Sequence, residues 1–118
     1  MKKIYHLATC KTCQKVIQQL DAEGRGLEMQ NIKEEKITAD QLDQMKAMVG
    51  SYEQLFSRRA MKFRSMGLAD KNLTEDDYRQ LILDEYTFLK RPVVIVGDEI
   101  FVGSAKKAVQ GALAALDK

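Results

Sequence analysis

Residues 4–16, Ile-Tyr-His-Leu-Ala-Thr-Cys-Lys-Thr-Cys-Gln-Lys-Val, set two cysteines three positions apart, behind a short apolar run and ahead of helical spacing. Cys10 and Cys13 are the chain's only cysteines, so a metal clip, a structural pair and a redox couple are weighed on these few residues. KKIYH, residues 2–6, reads as a short strand in which Ile4 and Tyr5 supply β-favouring side chains. LATCKTC then turns. Val16, Ile17 and Leu20 recur at helical intervals, with Gly24 as the expected stop. With Cys10 at the helix entrance, its sulfur lies near backbone N–H groups that have no acceptor within the helix. Their partial positive charge favours thiolate over thiol, with Lys11 and His6 as further contributors. One turn on, Cys13 brings the two Cα atoms to roughly 5–6 Å, a span that a disulfide accepts. Cys10, the outer residue, is the expected nucleophile, and Cys13 the thiol that closes the ring.

The competing readings are weaker. A zinc site calls for about four ligands, whereas two cysteines and one histidine are the usual soft ligands here, with no second ligand pair. Two inert thiols filling space is the blander option, since cysteine often behaves as a small buried hydrophobe. For His6 taken alone, the plain reading is a strand-end residue with its ring toward solvent. CxxC between the first strand and first helix of a βαβ unit favours thiol chemistry.

GLEMQNIK, with Leu27, Met29 and Ile32 as its apolar positions, reads as the second strand, so the first 33 residues form βαβ. Thr38 opens a helix that runs to Gly50 with Leu42, Met45 and Met48 or Val49 on one face. A basic piece around SRRAMKFR follows, which without other information is a solvated face. Thr74 then caps a further helix with acids in its first turn. RPVVIVGDEIFVG reads as a hairpin about Gly97-Asp98-Glu99, and Ser104 is the expected cap of a last helix carrying Val109, Leu113 and Leu116. At 118 residues, 45% hydrophobic and 31% charged, the chain suits one globular domain over 1–118 with a helical insert over 38–88. A net charge of +2 points neither toward nor away from nucleic acid, and no direct nucleic-acid contact is expected. No apolar run approaches membrane-spanning length, and the start lacks the apolar core of a secretory signal. The expected setting is a reducing cytoplasm, without a membrane.

The pattern I-Y-H-x-x-x-C-x-x-C, a helical insert, then Arg91-Pro92 before a hairpin resembles the arsenate reductase (ArsC)/Spx-like branch of the thioredoxin-like superfamily. The resemblance spans essentially the whole chain and implies an α/β fold: a thioredoxin-like mixed sheet (βαβ … ββα) with a helical insert. It implies Cys10 as nucleophile, His6 as the preceding histidine, Arg91 as an arginine beside the site, and Pro92 as the proline that is usually cis. Arg59, in SRR at 57–59, matches a second arginine, with neighbouring Arg58 able to substitute. Paired guanidinium groups are well shaped to hold an oxyanion.

Two departures stand out. Gln14 occupies the place where glutathione-reliant reductases often carry an arginine, and Gly103 the place of a third arginine, leaving Lys106 and Lys107 as distant substitutes. The implied function is a thiol-dependent oxidoreductase whose Cys10 attacks arsenate, a disulfide or a glutathione adduct, with Cys13 resolving. Glutathione or a thioredoxin-type reductant, with glutaredoxin or thioredoxin as protein partner, is the implied electron donor. No bound cofactor or metal is implied. The alternative is an Spx-like redox-sensing regulator that binds the C-terminal domain of the RNA polymerase α-subunit.

Overall fold

Ile4 and Tyr5 extend as part of β1 (Lys2–His6) in the computed structural model, which describes residues 1–118. There follow α1 (Lys11–Leu20), β2 (Glu28–Asn31), α2 (Ala39–Val49), α3 (Met61–Ser65), α4 (Glu75–Asp84), β3 (Val93–Val96), β4 (Glu99–Val102) and α5 (Lys106–Leu116). The chain divides into two units, Met1–Lys36 with Arg91–Lys118, and Ile37–Lys90. No helix is long and apolar enough to cross a membrane.

The first unit is a four-stranded mixed sheet in the order β2-β1-β3-β4. β1 runs parallel to β2, as a strand–helix–strand crossover requires, and antiparallel to β3, which pairs antiparallel with β4. This is the expected βαβ … ββα thioredoxin-like order. The β3–β4 hairpin turns on Gly97-Asp98, with Val96 opposite Glu99 and Gly97 at φ 60°, where a side chain would strain the backbone. Ile4, Val94 and Val96 share one face with Val16 and Leu20 of α1 and Val109, Ala112 and Leu116 of α5 in a single apolar cluster. The other face carries Tyr5, Val93 and Ile95, all buried. Lys3 is buried there too, its ammonium 3.7 Å from Glu28 and 4.7 Å from the Tyr5 ring centre, so the charge is not stranded.

Two expected helix boundaries are corrected. α1 stops at Leu20, because Asp21 takes the left-handed conformation (φ 51°) and turns the chain, so Gly24 is not the stop. Aspartate tolerates that region better than most residues. A Cβ at Gly24 would lie 2.3 Å from the Asp21 carboxylate, which is the exposed end of a side chain free to turn aside. Ser104 does not cap α5. Gly103 (φ 91°) turns the chain out of β4, its N–H donating to the Pro92 carbonyl, and the cap position falls on Ala105, which has no side chain to offer.

The second unit is helical. Thr38 and Gln41 at α2, and Thr74 and Asp77 at α4, form reciprocal capping boxes. The Glu75 carboxylate accepts from the N–H groups of Tyr52 and Glu53. Phe56 anchors this unit's aromatic cluster, its ring centre 4.9 Å from Tyr78, 5.0 Å from Phe88 and 5.9 Å from Phe63. Replacing Thr38 with Ala removes the acceptor for Gln41 N–H and is expected to lower unfolding free energy by about 1 kcal/mol, read from the urea midpoint.

Candidate active site

The loop between β1 and α1 is braced at nearly every residue. Cys10 N–H donates to Leu7 O at 3.0 Å, and Gln14 N–H donates to Cys10 O at 3.0 Å. The Gln14 side-chain amide reaches back to Ala8 O at 2.6 Å, and Asn31, at the end of β2, accepts from Ala8 N–H at 3.4 Å. Cys10 is thereby held as the N-cap of α1, in extended backbone, ahead of a helix whose first turn has no acidic residue. The sequence reading of this loop passed over Gln14 and Asn31 as supports. An amide three to four residues past the turn, and an asparagine closing the parallel partner strand, were the available signals.

Both cysteines are free thiols and approach to 3.6 Å. Their environments differ sharply. Cys10 is partly exposed, whereas Cys13 is completely buried. No single N–H closes a short capping bond onto the Cys10 side chain. Partial burial pushes the Cys10 thiol up, yet the Cys13 N–H and thiol, the Thr12 N–H and the Arg91 charge outweigh it, so its pKa is held below the ordinary 9.0. For Cys13, burial pushes the pKa up to about 11; the Leu7 N–H pulls it down, the Cys10 sulfur adds to the rise, and Arg91 opposes it. One thiol is prepared to ionise and its neighbour to stay protonated.

Arg91 is half-buried and precedes Pro92 across a cis peptide bond. Its charge acts on both sulfurs. Replacing Arg91 with Leu is expected to raise the Cys10 pKa and slow its alkylation below pH 7 by roughly two- to tenfold, with Lys at that position restoring part of the rate.

His6 is not the solvent-facing residue of the plain reading. It is 8% exposed, and its Nδ1 is buried without a hydrogen-bond partner. Burial lowers its pKa below 6.5, so the ring is neutral at pH 7 and lends no charge to Cys10. It lines a cavity of about 450 Å³ with Ala8, Gln14, Ile17 and Met29 among others.

Arg58 and Arg59 belong to the helical unit. Arg58 is engaged there, bonded to Glu53 at 2.8 Å and the Tyr78 hydroxyl at 2.9 Å, with its guanidinium 5.7 Å from the Tyr78 ring centre. Arg59 is exposed and lines a cavity of about 600 Å³ together with Arg58, Met61, Phe63 and Arg64. No three of the chain's His, Cys, Asp and Glu side chains gather as a metal-ligand set.

Several known proteins are similar to this chain in sequence or fold. The chain is 26% identical over 102 residues to the uncharacterized Bacillus subtilis protein YusI, spanning 84% of this chain and 86% of that one. The solution structure of an arsenate reductase (ArsC) related protein from Brucella melitensis is similar at TM-score 0.72 and 26% identity, covering 93% of this chain and 92% of that chain. The arsenate reductase from Vibrio cholerae shares the fold at TM-score 0.74 and 15% identity, covering 97% and 96% of the two chains. Residues 5–112 match the ArsC family over most of the length, including the β1–α1 cysteine loop, Arg91-Pro92 and the closing hairpin, and the chain therefore belongs to the ArsC family.

Proposed function

We propose that this protein is a thiol-dependent reductase in which Cys10 is the nucleophile and Cys13 the resolving thiol. The observation that carries the reading is the asymmetry of the pair: a partly exposed thiol with lowered pKa, 3.6 Å from a buried thiol with raised pKa. The Cys10 thiolate attacks one sulfur of a disulfide or glutathione adduct, forming a mixed disulfide while the other sulfur leaves and takes up a proton. Cys13 then loses its proton and attacks the Cys10 sulfur. The bound half of the substrate departs as a second thiol, and a Cys10–Cys13 disulfide remains. The substrate has gained two electrons, which an external thiol reductant, glutathione or a thioredoxin-type protein, returns to the pair.

Arsenate is the second substrate class for the same pair. There the Cys10 thiolate displaces a hydroxyl of arsenate. Attack on the Cys10 sulfur by Cys13 or an added thiol then leaves the S–As electron pair on arsenic as arsenite. Arg91, in the same unit as Cys10, is the proposed oxyanion donor; Arg59 and Arg58 stand as further candidates from the resemblance alone. Arg58 already holds Glu53, and Gly103 adds no third arginine, which weakens anion binding without touching the thiol chemistry.

The test is coupled turnover of arsenate and of a glutathione mixed disulfide, each supplied with glutathione plus glutaredoxin or with a thioredoxin system. Turnover of the mixed disulfide, with arsenate slower, is expected. Absence of turnover on either substrate with every donor, together with retention of the RNA polymerase α-subunit on immobilised protein, would replace the enzyme with the regulator.

A further inference from the structure

Behind the cysteine loop, α1 and the β1–β2 side of the sheet bound a cleft of about 450 Å³. Side chains alternate along β1, so His6 points the same way as Ile4, toward α1. Met29, opposite Ile4 in the parallel register, shares that face. Gln14, Ile17, Gln18 and Asp21 form the other wall, one stripe at helical spacing.

The two ends of the cleft differ in charge. Ala8 N–H donates to the Asn31 side chain at the end of β2, whereas Ala22 O accepts from Leu27 N–H just ahead of its start. Ala8 and Ala22 therefore mark opposite ends. Gln14, bonded to Ala8 O, and His6, in register with Asn31, belong to the first end, which is neutral because burial keeps the ring uncharged at pH 7. The second end carries Asp21 and Glu23, both exposed and neither among the chain's ion pairs. No lysine or arginine lines the cleft, and the last turn of α1, where the helix dipole favours a cation, contains none. Between the ends stand Ile17 and Met29, apolar and only half-buried.

His6 is the independent mark of a ligand. It is 8% exposed, and its Nδ1 is buried without a hydrogen-bond partner, a state that native folds seldom leave uncompensated. A group that reaches Nδ1 has to be neutral, since a charge buried against a neutral ring would lack a counter-ion. A cation belongs instead at the exposed acidic end.

We infer that this cleft binds a slender primary amine, with its ammonium held by Asp21 and Glu23, its hydrocarbon stem along Ile17 and Met29, and a terminal hydroxyl bonded to His6 Nδ1. A hydroxyl donates and accepts, so it satisfies either neutral tautomer of the ring. Gln14 to Asp21 spans seven residues of helix, which sets the separation of hydroxyl and ammonium at roughly 10 Å. The volume lies within the usual range for small-ligand pockets. Neither cysteine lines the cleft, and the binding stands whether or not the thiols exchange.

His6 is the only histidine of the chain, so its ring nitrogens are read without ambiguity in protein labelled with 15N-histidine. Titration with 6-amino-1-hexanol is expected to shift Nδ1 together with amide resonances over 14–23. Hexylamine, which lacks the hydroxyl, is expected to bind roughly fivefold more weakly and to leave Nδ1 unmoved. 1,6-Hexanediol, which lacks the charge, is expected to bind roughly threefold more weakly. Asp21→Asn, which suits the same left-handed backbone, and Glu23→Gln are each expected to weaken the amino alcohol by roughly two- to threefold, as is added salt. An Nδ1 that does not move, shifts centred elsewhere, or equal binding of the three probes would overturn the site. 3-Amino-1-propanol binding as tightly as the six-carbon probe would overturn the length. Tighter binding of Nα-acetyl-lysine methylamide would overturn the small-molecule ligand and assign the cleft to a lysine side chain of another protein.

Discussion

Reduced protein treated with iodoacetamide at pH 7 is expected to take the label at Cys10 roughly 10²-fold or more faster than at Cys13. A thiol whose pKa stands at about 11 is thiolate in only about one molecule in 10⁴ at that pH. The more basic anion is intrinsically the better nucleophile, but a Brønsted slope of about 0.4–0.5 returns only about one decade for every two units of separation. Burial widens the gap again, since the Cys13 side chain has no exposed surface for a reagent to meet. The pH profile carries the sign of the shifts. Cys10 stays reactive as pH falls from 9 until its own lowered pKa is passed, whereas an ordinary thiol loses a factor of about ten per pH unit throughout that range. Peptide mapping after timed quenching reads both sites at once. Equal, slow labelling of the two would remove the nucleophile.

The second large effect separates the two sulfurs by role. Cys10→Ser is expected to lower reduction of a glutathione mixed disulfide by on the order of 10³-fold or more, because a serine hydroxyl is scarcely ionised near neutral pH. Cys13→Ser is expected to leave the first step intact and stop there, so that intact-mass spectra accumulate protein carrying one glutathione on Cys10. The two variants also control for each other. Both replace sulfur by oxygen at the start of α1, so a fold defect would slow the first step in both, while the proposed division of labour slows it in one. Adduct on Cys10→Ser protein, or complete turnover by Cys13→Ser protein without added thiol, would reverse or dissolve the assignment.

Much of the fold was legible because its signals are local. Thr38 and Thr74 announce α2 and α4 by cap chemistry within four residues, and Gly97-Asp98 sets the hairpin by itself. The helix ends that escaped were decided by backbone conformation rather than residue preference. Asp21 took a left-handed turn, which glycine at 24 was better suited to take on propensity alone. Ser104, a good cap in isolation, is left one residue ahead of the cap position by the turn at Gly103.

The site divides along the same line. The closeness of Cys10 and Cys13 follows from one turn of helix. Their opposite acidities do not, because these depend on the burial of Cys13, the Leu7 N–H and the charge of Arg91, which is 81 positions along the chain from Cys10. His6 could not be assigned a buried, neutral ring from strand periodicity, since that required the sheet to be assembled around it. The engagement of Arg58 by Tyr78, 20 residues away, was equally hidden.

On the proposed mechanism the fold ionises one sulfur of the pair and protects the other. Selective 13Cβ labelling of cysteine, followed by NMR from pH 5 to 11 on reduced protein, reads each thiol separately. A Cys10 midpoint below 9.0 and a Cys13 midpoint near 11 are expected. Two midpoints at the ordinary thiol value, or a Cys10 that titrates above Cys13, would contradict it.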